Sequence, residues 1–263
     1  MKIINLSSGS KGNSTLIMSE HTNILVDMGI SLKELSNRLK SIKIEPIQIN
    51  AVFITHEHSD HIKGIPTLIK KYPQIKVFVH KPLYDTIISK FTQTDTNKII
   101  SYDSEINLGD FHIESFELSH DSVDCVGYQI GEGANKVAIA TDFGFFNENI
   151  IKYLSECKLV VLEANHDVEK LLKNPHYPIK TKARILSGKG HLSNNQASEL
   201  IYRLSKSSVK QIILAHLSDE NNSPIIAYNT ICEYLYQHNV IEGKDIYIDI
   251  AYQDRVGNLF VVD

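Results

Sequence analysis

The chain of 263 residues predicts an α/β fold in one domain. Three observations carry that expectation. Short apolar or alternating segments recur along the whole sequence, separated by segments with helical periodicity. Strand after strand ends in a histidine or an acid followed by a turn, and layered α/β folds build their sites at such ends. No Pro-, Gly- or Ser-rich linker and no shift of composition divides the sequence, so 1–263 reads as one unit.

The first strand covers 2–6 and runs into a Gly/Ser/Asn-rich loop at 7–14. That loop reads either as a plain hairpin turn or as an anion-binding nest of backbone N–H groups. It is not a Walker A loop, because no Lys-Ser/Thr follows its second glycine. Segments 15–18 and 23–26 form a hairpin ending in Asp27-Met28-Gly29. An acid at a strand end beside a glycine turn can orient a metal-bound histidine from behind, which makes Asp27 a candidate for that role. Ser31 caps a helix with Leu32, Leu35 and Leu39 on one face. The apolar strand Ala51–Ile54 precedes a run of polar ligand-type residues, and a helix is expected over 62–70. The strand 76–79 ends at His80, which reads as structural or solvated, or else as a neighbour of the site; Pro82 opens another helix.

Segment 111–118 alternates with period two and ends in Ser119-His120-Asp121. Strands 126–130 and 136–140 pair around a glycine turn, the second ending in Thr141-Asp142-Phe143-Gly144. A capped helix over 147–156 leads to the apolar strand 158–162 and then Glu163-Ala164-Asn165-His166-Asp167. Segment 180–187 is cationic and compatible with a helix. Gly190-His191 follows, with Ser193 or Asn194 capping a helix over 196–204. The strand 211–215 ends at His216, a helix spans 224–237, and strands at 246–248 and 258–261 close the chain.

Bulk properties narrow the class. A hydrophobic share of 42% and a charged share of 22% fit a soluble globular chain. The apolar run at the N-terminus is too short for a signal peptide, and no run approaches a membrane span. Three widely spaced cysteines do not make a disulfide framework, which suits a reducing cytoplasm. The net charge of −4 weighs against a non-specific DNA coat but not against a nuclease with a local cationic or metal-lined groove.

The chemistry concentrates in Thr55-His56-Glu57-His58-Ser59-Asp60-His61. A strand holds its end rigidly, and the turn beyond it can aim several side chains at one point. His56 and His58, one residue apart, can reach the same ion. Asp60 and His61 diverge and can serve a second ion beside it. Imidazole and carboxylate suit zinc, manganese or iron, and no thiolate is present to demand zinc. The bland alternative is a polar loop with chance histidines. With 12 histidines in 263 residues, four such ligands in this order behind an apolar strand argue against it.

His56-x-His58-x-Asp60-His61 resembles the signature of the metallo-β-lactamase superfamily, whose members are αββα sandwiches with a metal site at one edge. The superfamily hydrolyses lactams, thioesters, phosphodiesters and nucleic acids, so the motif alone selects no substrate. The resemblance implies that His120 completes the first ligand set, Asp142 bridges two ions, and His216 completes the second set. It thus implies two divalent ions, zinc or manganese or iron, on His56, His58, His120 and Asp142 and on Asp60, His61, Asp142 and His216. An aspartate at 142 argues against the lactamases that use a thiolate there. Asp60 is expected, beyond ligation, to hold or deprotonate the attacking water. A phosphodiester also benefits from a general acid that titrates near neutrality, for which His191 is the candidate.

The segments 162–167, 190–194 and 216–222 resemble the carboxy-terminal motifs of ribonuclease-Z-like enzymes, which implies that Glu163 orients His191. The whole chain is similar to the YycJ/WalJ branch of small bacterial enzymes. That similarity implies a 5′→3′ exonuclease acting on DNA in preference to RNA, linked to DNA repair or cell-wall regulation. Substrate contacts are expected at Lys11, Asn13, His166, Arg184 and Asn221. Lys11, Lys180, Lys182, Arg184 and Lys189 read either as a phosphate track or as an ordinary solvated face. The chain lacks the glycine-rich arm of the tRNA-processing enzymes and the inserted domain of the β-CASP nucleases. The competing function is a small-molecule hydrolase: a cyclic phosphodiesterase or a glyoxalase-II-like thioesterase.

Overall fold

A computed structural model describes residues 1–91 and 95–263. Its strands are β1 (Lys2–Ser7), β2 (Ser14–Met18), β3 (Asn23–Val26), β4 (Ala51–Ile54), β5 (Lys76–His80), β6 (Ile99–Tyr102), β7 (Glu105–Leu108), β8 (Phe111–Glu117), β9 (Val126–Glu132), β10 (Asn135–Ala140), β11 (Leu159–Glu163), β12 (Gln211–Ala215), β13 (Tyr247–Ile250) and β14 (Phe260–Val261). Its helices are α1 (Leu32–Ser41), α2 (Ser59–Ile62), α3 (Ile65–Lys71), α4 (Tyr84–Lys90), α5 (Glu148–Ser155), α6 (Val168–Lys173), α7 (Ile179–Ile185), α8 (Asn194–Leu204) and α9 (Pro224–Gln237). The strands form two sheets, in the orders β14-β1-β2-β3-β4-β5-β6 and β13-β12-β11-β10-β9-β8-β7.

Period-two geometry explains why the central strands are apolar on successive residues. In β4, Ala51 and Phe53 face the other sheet, while Val52 and Ile54 face α1 and α3. In β12, Ile213 and Ala215 face the other sheet, while Ile212 and Leu214 face α8 and α9. Three apolar layers result: helices on the first sheet, sheet on sheet, and helices on the second sheet. This is the αββα sandwich. The middle layer holds the stacked pair Phe53 and Phe78, with ring centroids 4.9 Å apart, and the buried Tyr128.

The helix ends follow local chemistry. Ser31, Asn147, Ser193 and Ser223 each accept a backbone N–H of the first turn of α1, α5, α8 and α9. Ser193 and Gln196 form a reciprocal capping box. The helix expected over 62–70 is instead two pieces, with Asp60 and His61 inside the short α2. Gly64 separates them. A Cβ there would lie 2.1 Å from the Ile30 carbonyl oxygen, so the chain turns where it packs on that carbonyl. Strands β6 and β7 and helix α6 lie outside the elements that the sequence predicts. Strand β7 lies at a sheet edge and carries exposed and half-buried residues, so little apolar patterning marks it.

Candidate metal centre

The parallel strands β3, β4, β10, β11 and β12 end at one edge of the sandwich. The first sheet delivers Asp27 and the run His56 to His61; the second delivers Asp142, Glu163 and His216, with His120 following β8. Three of these residues sit in the left-handed backbone region: Asp27 at φ 62°, Asp142 at φ 64° and His216 at φ 54°. Such conformations cost roughly 1–3 kcal/mol each and persist where the surroundings impose them, often at functional sites. Here they place Asp142 and His216 in the donor cluster and Asp27 behind His61.

The structure brings all seven expected ligands together. Donor atoms lie within 4.8 Å of one another in the groups His56, His58, His120; His56, His61, Asp142; Asp60, His61, His216; and Asp142, Glu163, His191, His216. Hydrogen bonds behind the rings fix which nitrogen faces inward. His61 Nδ1 donates to Asp27 Oδ2 at 2.7 Å. His120 Nδ1 donates to the Gly190 carbonyl at 3.1 Å. His216 Nδ1 donates to Glu163 Oε1 at 2.9 Å. Thr55 Oγ1 donates to Asp27 Oδ2 at 2.9 Å and lies 3.1 Å from His56 Nδ1, so it can accept from that ring. In each case Nε2 is the nitrogen left on the side of the centre, without a partner in His56 and His216 and beside Asn13 Nδ2 in His61.

The donor set fits divalent cations. His56 Nε2, His216 Nε2 and Asp142 Oδ2 are buried without a hydrogen-bond partner. A buried polar atom left unmet costs about 1–3 kcal/mol, so several aimed at one spot are costly unless a ligand meets them. The charges point the same way. Burial opposes ionisation of Asp142, but His216, His61 and His56 hold its carboxyl well below the usual range. Burial likewise opposes charge on His216, yet Asp142, Asp60 and Glu163 push its imidazole up to about 10. The cluster thus demands positive charge, and its nitrogen and carboxylate donors suit borderline divalent metals.

His191 stands between His120 and His216, with ring centroids 5.1 Å and 5.2 Å away. Its Nδ1 lies 2.8 Å from Glu163 Oε1. Glu163 is fully buried and also accepts the backbone N–H groups of Phe143 and Leu192. Burial would raise its pKa, but His191 and His216 bring it down to about 2. One carboxylate therefore holds both rings.

A cleft of about 280 Å³ opens over this cluster, lined by Asp60, Asp142, His191 and His216 and walled by Tyr177, Thr181 and Arg184. Of the expected substrate contacts, Arg184 lines the cleft and pairs with Asp121. Lys11 lies in a neighbouring cavity, paired with Asp219 at 2.6 Å. Asn13 is buried; its Oδ1 accepts Gly9 N–H at 2.9 Å, and its Nδ2 lies 3.0 Å from His61 Nε2. Asn221 and His166 are also buried and do not line the cleft. Lys182 donates to the Leu172 carbonyl at 2.6 Å, and Lys189 lines another cavity beside His120. Residues to which the sequence assigns no role in the site include Thr55, Ser8, whose Oγ accepts the His216 N–H at 2.8 Å, and Asn165, which donates to the His216 carbonyl at 2.8 Å. Thr55 adjoins the motif and could have been found from it. Nothing local marks Ser8.

A family profile described as "Beta-lactamase superfamily domain" matches residues 22–217. The exodeoxyribonuclease WalJ of Streptococcus pneumoniae is 35% identical over 243 residues, covering 91% of this chain and 90% of that one. The chain belongs to the beta-lactamase superfamily, in the WalJ and YycJ branch. The exodeoxyribonuclease YycJ of Bacillus anthracis is 32% identical over 241 residues, again covering 91% and 90% of the two chains. Among solved structures, the metallo-beta-lactamase fold protein YhfI of Bacillus subtilis superposes with a TM-score of 0.72 at 16% identity, covering 99% of both chains. That likeness is one of fold. Membership of this superfamily, together with the exodeoxyribonuclease relatives, makes the chain a metal-dependent hydrolase. Among the described residues, no helix is long and apolar enough to cross a membrane.

Proposed function

We propose that this chain is a cytoplasmic exodeoxyribonuclease that degrades DNA in the 5′→3′ direction at a centre of two divalent ions, zinc or manganese or iron. What supports the phosphodiesterase chemistry most is the Glu163–His191 pair at the rim of the donor cluster. DNA as substrate is supported by similarity to two exodeoxyribonucleases over nine-tenths of each chain.

His56, His58 and His120 would hold one ion and Asp60, His61 and His216 the other, with Asp142 shared. Such ions supply a water acidic enough to attack at neutral pH and neutralise charge on the phosphate oxygens. The protein does the rest with fixed groups. Asp60 is kept ionised: burial opposes it, but His61 and His216 hold its carboxyl far below the usual range. Its side chain, 21% exposed, reaches the cleft and can accept a hydrogen bond from the attacking water. His191 donates Nδ1–H to Glu163, which leaves Nε2 to give a proton to the departing sugar oxygen. Glu163 fixes the ring. Arg184 offers a fork of donors to a phosphate at the cleft wall.

The test is a digestion of 5′- and 3′-labelled single- and double-stranded DNA and RNA by chain loaded with Mn²⁺ or Zn²⁺. Stepwise loss of nucleotides from DNA 5′ ends, abolished in Asp142→Ala, is the expected result. Intact nucleic acid beside cleavage of bis-p-nitrophenyl phosphate or a thioester would sink the nuclease reading.

A further inference from the structure

A second cavity, of about 370 Å³, lies directly behind the wall of the metal cleft. The two spaces share Ser218, and Ser8 and Lys11 line the second while Ser10 lines the first. The wall between them is the chain beside a metal-centre residue. Ser8 Oγ accepts the His216 N–H at 2.8 Å, and Ser8 N–H donates to the Tyr252 carbonyl at 3.0 Å. The Lys11 backbone is tied to Gln253 Oε1 at 2.8 Å, and the Lys11 ammonium to Asp219 at 2.6 Å. The two spaces therefore adjoin along the Ser8–Lys11 loop and Ser218.

The lining has a definite character. Tyr252 contributes an aromatic ring, with the Arg255 guanidinium stacked 3.7 Å from its centroid. Asp219 and Asp254 contribute carboxylates, and Ser218 and Asn222 further polar groups. With the Lys11 ammonium matched by Asp219, the lining offers no excess of positive charge to a second phosphate. The carboxylates and hydroxyl suit the amino groups of a base and the hydroxyl of a sugar, and the face of the Tyr252 ring that Arg255 leaves uncovered suits a base as a stacking platform. The volume is near the lower end of small-molecule pockets, roughly 300–1,000 Å³, which suits one nucleoside rather than a run of them.

We propose that this cavity seats the nucleoside of the terminal nucleotide while the metal centre holds the adjoining scissile phosphate. The proposal rests on the DNA exonuclease reading and adds to it a structural reason for cutting at ends: the strand stops where the cavity stops. Lys11 lines this cavity next to Ser10, which lines the metal cleft, so the linking phosphate would pass beside that loop.

The test uses the full chain loaded with Mn²⁺ and compares wild type, Tyr252→Ala and Tyr252→Phe. Each is assayed on a labelled single-stranded oligonucleotide, on bis-p-nitrophenyl phosphate, and for inhibition by deoxyadenosine monophosphate. Loss of a base-stacking ring should lower kcat/KM for the oligonucleotide about tenfold in Tyr252→Ala and weaken the inhibition by a similar factor. Turnover of bis-p-nitrophenyl phosphate, which carries no nucleoside, should stay within about twofold and so report an intact fold and centre. Tyr252→Phe, which keeps the ring, should match wild type. Tyr252→Leu makes the same comparison should the alanine variant fail to fold. Unchanged oligonucleotide kinetics and unchanged inhibition in the ring-less variant overturn the proposal while the nuclease reading stands. A wild type that hydrolyses bis-p-nitrophenyl phosphate but no DNA overturns the nuclease reading itself.

Discussion

At the scale of single residues, the centre depends on carboxylates that sit behind histidines. Asp27 accepts from Thr55 N–H, Thr55 Oγ1 and His61 Nδ1, and Glu163 accepts from His191 and His216. Replacing Glu163 by Gln removes the negative charge but keeps the size. We expect kcat on DNA to fall by roughly 10²-fold, the scale of general acid–base effects, with the bell of the pH–rate profile shifted. His191→Ala should lower turnover of DNA by roughly 10²–10⁴-fold and that of bis-p-nitrophenyl phosphate much less, since p-nitrophenolate leaves without a proton. Metal content, read by plasma emission, should not change; loss of an ion would make His191 a ligand instead of an acid.

His166 supports a prediction of a different kind. It is buried with neither ring nitrogen hydrogen-bonded, and burial lowers its pKa from 6.5 to about 4. The unfolded chain then binds the proton first. Stability is fully present above pH 6.5 and is lost as pH falls toward about 4. The slope from this one group is at most about 1.4 kcal/mol per pH unit. Urea titrations of metal-free protein across that window should show His166→Gln less acid-sensitive than wild type. Equal slopes would mean that His166 is solvated or partnered in solution.

At the scale of elements, glycines decide how closely the site's loops approach. A Cβ on Gly29 would lie 1.5 Å from the Asp60 carbonyl oxygen and 2.7 Å from Asn13 N, both backbone atoms. These loops are joined by Asn13 N–H to Asp60 O and by Gly29 N–H to Asn13 O, each 2.7 Å. Gly29→Ala should therefore displace Asp60 and weaken the second ion site more than the first. Zinc titration followed by calorimetry should show one tight and one weakened site, with activity down by roughly 10²-fold, the cost of about 1 Å of misplacement. Gly144 and Gly190 play the same part opposite, where a Cβ would lie 2.2 Å from the Ser187 carbonyl and 2.1 Å from the Ile185 carbonyl. They let the loop carrying His191 lie against the turn carrying Asp142.

At the scale of the whole molecule, the centre exists only because two sheets meet. Tyr128 in β9 donates to the Ile54 carbonyl in β4 at 2.6 Å and receives the Tyr102 hydroxyl at 3.0 Å. This joins the second sheet to the strand that ends one residue before Thr55. Tyr128→Phe leaves Tyr102 Oη and the Ile54 carbonyl short of a partner in a buried place, and should cost about 1–3 kcal/mol of unfolding free energy. Chemical denaturation measures it directly. Metal held by donors from both sheets would tie them together as well, so chelation should lower Tm, and the drop should shrink in Asp142→Ala.

The sequence by itself determined the alternation of strands and helices, the superfamily and which donor-type side chains converge. These are local or pairwise properties: period-two burial in β4 and β12, a cap at Ser31, and ligand-type side chains just beyond strand ends. It did not determine which polar residues near the motifs face the cleft. Asn13, His166 and Asn221 stand within ligand-like motifs, yet the fold buries them, while Tyr177 and Thr181 stand in no motif and line the wall. Nor could it reveal Ser8 behind His216, 208 residues away in sequence, or the left-handed turns at Asp27, Asp142 and His216. Those depend on the docking of two sheets at one edge. A side chain's exposure there is set by what the other half of the chain places against it, and local sequence carries no record of that.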